Sequence, residues 1–397
     1  MAPTLDKEPL SLTRICSWWR AVARAVPELW TAVSGGQDWT ARTTPGVLRV
    51  WLAHLATAGG PAGGPVDLYL AHARPTPPDP REAAHLTRVL RLFLDRAHLP
   101  CLRALCLRLE SGMLIELRTL LRTAKGGSPA AQLEEADLTF ALNTGSRAAE
   151  INVLIGWLST LPRLRRLRWV YLPSARSYEG IHINALPWGA LKEVLVRFPM
   201  SLATGLACIA RCTAATTIAL EVLGWADDED GPDPGPTPVM LPAVASLTLV
   251  GTDAAADHLL AHLTLPALRH LAVRTLPGAR PAPRTAALGA LLARSQCPLE
   301  ALVLRAPTAP APAPCALFAL PGIARLRVLD VVYNGYHECV RVFLAGGGGA
   351  GLAARGVPRV MVWVEGAPAW EEHVGWTDVL PAGAVLSEIY ECVDRGD

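Results

Sequence analysis

The 397-residue chain is 51% hydrophobic and only 18% charged, with a formal net charge of +2 at pH 7. That balance excludes bulk electrostatic attraction to nucleic acid and leaves enough apolar side chain for one long continuous core. Nine cysteines without a paired framework predict a reduced, cytoplasmic or nuclear protein.

In chain order, residues 10–34 (LSLTRICSWWRAVARAVPELWTAVS) have helical periodicity. Leu12, Ile15, Trp19, Val22 and Val26 share one stripe, and Pro27 ends it. Asp6, Lys7 and Glu8 ahead of it, with no apolar run behind them, predict no secretory signal. A second amphipathic helix is expected from Pro45, a favoured residue for a helix start, to Gly59-Gly60. Val66–His72 reads as a first strand. Helices are expected at 81–98 and 146–161, the second capped by Ser146.

From Leu102 a cassette of the form apolar-x-x-apolar-x-apolar recurs, often just behind a proline. Clear copies are Leu164/Leu167/Trp169, Leu268/Leu271/Val273, Leu299/Leu302/Leu304 and Leu326/Leu329/Val331. Weaker ones start at Leu102, Leu133, Leu191, Ala215, Val244 and Val357. The steps run from 24 residues (244 to 268) to 31 (102 to 133), the length of leucine-rich repeats. The predicted fold is therefore α/β: an irregular leucine-rich-repeat solenoid with a curved parallel sheet over 61–369, a short helical segment over 1–60, and a cap or tail over 370–397. Only the copy ending at Asn334 carries the asparagine that would bond the turn backbone between stacked repeats.

The apolar stretch 198–225 is interrupted by Arg211 and Glu221 and contains a cassette, so it reads as buried repeat and not as a membrane span. Breaker-rich segments at 227–238 (DDEDGPDPGPTP), 277–284, 306–314 and 346–351 are expected to be mobile insertions.

Ile15-Cys16-x-x-Trp19-Arg20, followed by Pro27-x-Leu29-Trp30, resembles the second half of an F-box. Residues 47–52 and 67–70 resemble the stretch that follows it in fungal F-box proteins with leucine-rich repeats. The resemblance implies that Ile15, Cys16, Trp19, Arg20, Pro27, Leu29 and Trp30 contact the adaptor subunit of an SCF ubiquitin ligase, bringing its cullin, while the repeats hold a substrate. The family's opening helix, L-P-x-E-I/L, has no counterpart here. The expectation is a chain cut short upstream, or one that kept its repeats and lost the docking module.

Because successive strand residues point to opposite sides, the residues between the leucines should line the concave face. These include Arg108, Arg165, Arg166, Arg168, Tyr171, Arg197, Arg274, Arg305 and Tyr333, with Arg103, Glu134, Glu135, Asp137, Lys192, Arg269 and His270. The seventh cassette position supplies Arg108, Arg197, Arg274 and Arg305, which predicts a row of guanidiniums suited to an acidic or phosphorylated protein segment.

Catalytic signatures are sparse. His258 and His262 have a spacing zinc can use on a helix, without the intervening Glu of H-E-x-x-H. Cys208 and Cys212 lie in an apolar segment and are expected to be inert. The glycine run at 346–351 lacks the Lys-Ser/Thr of a phosphate loop. The expected function is a non-catalytic substrate receptor of an SCF-type ligase, without cofactor, metal, nucleic acid or membrane. A free-standing repeat scaffold is the alternative, and a metal-dependent enzyme using the histidine pair is a third reading.

Overall fold

The computed structural model describes residues 102–124, 130–142, 148–173, 181–222, 238–275 and 284–306. It also describes strands at 32–35, 66–71, 328–334, 339–345, 359–365 and 385–386, Leu326, and parts of 16–26 and 84–92. The expected helix at 45–60 and most of the four breaker-rich segments lie outside the described residues. The chain divides into two compact units, Met1–Phe198 and Pro199–Asp397.

In the first unit the strands are β1 (Ala32–Gly35), β2 (Val66–Ala71), β3 (Leu102–Glu110), β4 (Glu135–Leu142), β5 (Arg166–Pro173) and β6 (Glu193–Met200). Each pairs in parallel with the next in sequence. Parallel neighbours need a crossover. Here the crossovers carry α1 (Ser111–Ala124), α2 (Ala148–Leu158) and two short 3-10 turns at Ile183–Ala185 and Trp188–Ala190.

The second unit begins with α3 (Leu202–Arg211) and runs through β7 (Thr217–Val222), β8 (Val239–Met240), β9 (Ser246–Gly251), α4 (Asp253–His262), β10 (Leu263–Thr264), β11 (His270–Thr275), α5 (Arg284–Ser295) and β12 (Ala301–Ala306). After these come β13 (Val328–Asn334), β14 (Cys339–Ala345), β15 (Arg359–Glu365) and β16 (Val385–Leu386). β7, β9, β11, β12 and β13 form one parallel run, while β8 and β10 pair with each other.

The cassettes account for this register. Every paired strand after β2 that carries one begins its common register two residues past the cassette's first apolar position: 104, 135, 166, 193, 217, 246, 270, 301, 328 and 359. The fourth positions then stack as Leu68, Leu105, Ala136, Leu167, Val194 in one unit and Ile218, Leu247, Leu271, Leu302 in the other. The sixth positions stack as Leu70, Leu107, Leu138, Trp169, Val196 and as Ile218's companions Leu220, Leu249, Val273, Leu304. All of these side chains are buried, each aliphatic one worth about 1.5–3 kcal/mol for leaving water. Trp169 meets Phe140 edge-on, with ring centroids 6.1 Å apart.

Helices cover the buried side. Leu114, Leu117 and Leu121 of α1 form one apolar stripe, as do Ile151, Leu154, Ile155 and Leu158 of α2. In the second unit Gly205 of α3 has no Cβ and sits close to Val222, where a methyl would come within 3.0 Å of the Val222 side chain. Arg294 of α5 donates to Leu260 O at 2.8 Å and Leu263 O at 2.7 Å, capping the carbonyl end of α4. The buried Ser295 hydroxyl accepts from the Leu265 N–H at 2.9 Å.

A further buried position lies three residues ahead of six of the cassettes: Ala130, Leu161, Trp188, Cys212, Leu241 and Leu265. At four of them the carbonyl accepts the first cassette N–H: Leu133 to Ala130 at 3.0 Å, Leu191 to Trp188 at 3.3 Å, Ala215 to Cys212 at 3.2 Å and Leu268 to Leu265 at 3.1 Å. Three of the six precede proline, which holds them out of the helical region and turns the chain into the strand.

The structure departs from the expected elements in three places. Residues 17–18 and 21–22 are helical, and Ala32–Gly35, beyond the expected helix end at Pro27, form strand β1 parallel to β2, a strand not expected from the sequence. β14 is antiparallel to both β13 and β15. Only residues 335–338 join β13 to β14, too few for a parallel crossover, so a hairpin forms. The expected tail contains β16, which pairs in parallel with β15. The asparagine at 334 closes β13 beside Cys339 of that hairpin.

Two glycines give opposite predictions. A methyl at Gly251 would overlap the carbonyl oxygen of Val222, its register partner, whereas one at Gly156 in α2 meets nothing within 4 Å. Chemical denaturation should show Gly251→Ala destabilised, and Gly156→Ala stabilised by about 0.5–1 kcal/mol.

Candidate functional site

The odd cassette positions face away from the helices and form rows across neighbouring strands. In the first unit the third position gives Asp67, Ala104, Glu135, Arg166 and Glu193, and the fifth gives Tyr69, Cys106, Asp137, Arg168 and Leu195. Charges along these rows alternate. Arg166 lies 3.1 Å from Glu135 and 3.5 Å from Glu193, and Arg168 lies 3.6 Å from Asp137. Arg103, one position earlier, grips Asp67 with two bonds of 2.9 and 2.5 Å. Exposed cross-strand pairs of this kind contribute a few tenths to 1 kcal/mol each. Their larger effect is on the surface, which is neutralised row by row.

Arg165 has a different environment from its two neighbours. It precedes β5, and its guanidinium donates to the carbonyls of Leu164 at 3.2 Å and Ala190 at 3.4 Å. Its own carbonyl accepts the N–H groups of Lys192 and Glu193. The same two-bond step recurs at Glu134, Thr216, Ala245 and Arg269, tying successive turns by backbone where an asparagine ladder is missing.

The seventh position, expected to be a row of arginines, is broken. In the first unit it reads Arg108, Thr139, Val170, Arg197. In the second it reads Glu221, Val250, Arg274, Arg305, Val332. Arg108, Arg197 and Arg274 are exposed. The backbones of Tyr171, Arg305 and Tyr333 belong to β5, β12 and β13, and their side chains lie outside the described residues. Beside Arg274 on the second unit's face, Ser246, Thr248, Val250, Ala272, Ala301 and Val303 are half-buried and uncharged, and Glu221 and Asp330 stand further along the same rows, opposite Val250 and Val303. Arg269 pairs with Glu300 at 2.8 Å at the edge of this face.

Of the F-box-like residues, Cys16 is exposed, whereas Ile15, Trp19, Arg20, Pro27, Leu29 and Trp30 lie outside the described residues. Sequence reading missed Asp67 and Glu193 as partners of the arginines. Glu193 could have been found, because it is the third position of the cassette at Leu191.

His258 and His262 do share one face of α4. Their rings stack with centroids 4.3 Å apart, and His262 Nδ1 donates to the His258 carbonyl at 2.8 Å. Among the described residues no group of three or more His, Cys, Asp or Glu side chains is placed to hold a metal ion. The Cys208 and Cys212 thiols are buried in and just after α3, and burial pushes both up to about 12, far from the thiolate a nucleophile or metal ligand needs. Burial, with Asp137 beside it, pushes Cys106 up to about 11. Among the described residues no helix is long and apolar enough to cross a membrane.

Burial also pushes the Asp257 carboxyl of α4 up to about 6. A carboxyl raised in the folded state holds its proton there after the unfolded chain has released it. Stability therefore falls as pH rises from about 4 to about 6 and stays low above that. Asp257→Asn should raise the urea midpoint at pH 8 and change it little at pH 4; an equal shift at both values would contradict the burial assignment.

No family model and no curated protein matches the sequence.

Proposed function

We propose that the chain is a non-catalytic recognition protein, an irregular leucine-rich-repeat solenoid whose open sheet face binds a protein partner in the cytoplasm or nucleus. The observation that carries this reading is the register. Successive parallel strands align their odd positions into rows, so each unit presents a broad surface of exposed or half-buried polar and small side chains, backed by a helix-covered core. A surface built from many strands at fixed spacing suits an extended protein segment better than a small molecule.

The more specific proposal is a substrate receptor of an SCF-type ubiquitin ligase. It rests on the F-box-like residues Ile15 to Trp30 and on their coupling to repeats. The adaptor and cullin would join through that segment and the substrate through the sheet face. A repeat scaffold without a ligase link is the alternative, and it differs only in lacking the adaptor.

Co-purification separates the two. The full chain expressed with the SCF adaptor and cullin should retain both, and Trp19→Ala with Trp30→Ala should release them. Absence of the adaptor from the intact chain would leave the scaffold reading. The binding face is tested independently by Thr139→Trp, which fills the middle of the first unit's face. It should remove a captured partner by at least about tenfold while leaving the thermal transition in place.

A further inference from the structure

We draw no further inference here: the strongest candidate, the shallow floor of half-buried small side chains Ser246, Thr248, Ala272, Ala301 and Val303 beside the exposed Arg274 on the second unit's sheet face, belongs to the surface already described, and nothing in the structure shows what covers it.

Discussion

The structure depends on one repeated constraint: each parallel strand must offer its fourth and sixth cassette residues to the same positions of the next. Because side chains alternate along a strand, a slip of one residue would turn Leu105, Ala136, Leu167 and Val194 out to solvent and bring Cys106, Asp137 and Arg168 into the core. The cost of burying Asp137 and Arg168 on the helix side makes the register self-correcting. The backbone bonds between successive turns, such as Lys192 and Glu193 to the Arg165 carbonyl, fix the same alignment from the N-terminal end of each strand.

That register also creates the surface. Once the aliphatic positions are committed inward, the remaining positions fall into rows whether or not a partner exists. Their composition then carries the information. The first unit uses the rows for opposed charges, which hold the face soluble and nearly neutral. The second unit leaves small and aliphatic residues on its face and sets Arg274 opposite Arg305. Two units with one backbone pattern thus present different chemistry.

Strand positions were legible in the sequence because the aliphatic spacing and the strand period are the same physical fact, and the offset of two residues from first apolar position to strand start holds even for the weak copies at Ala215 and Val244. The buried residue three places earlier was readable in principle from the Leu-Pro pairs at 161, 241 and 265. Helices α1, α3 and α5 were not identified, since alanine- and leucine-rich segments such as Arg284–Ser295 look alike as helix or buried strand at this length. The β13–β14 hairpin was hidden for a different reason: chain length between strands decides parallel against antiparallel, and the end of β13 had first to be known. The face was legible as a list of residues, but not as pairs. Pairing depends on which copy neighbours which and on the exact offset, so Asp67 beside Arg103 emerges only with the strands in place.

The most direct test of the register uses a thiol already on the face. Cys106 lies opposite Asp137 on the neighbouring strand, both in the fifth row, while Ala136 points into the core. Parallel neighbours about 4.8 Å apart are within the span a disulfide can bridge. Mild copper-phenanthroline oxidation of the Asp137→Cys chain, read by peptide mass spectrometry, should join residue 137 to Cys106, and the Ala136→Cys chain should not form the corresponding bond. A bond from position 136 with none from position 137 would contradict the register, and with it the sheet face on which the proposed recognition depends.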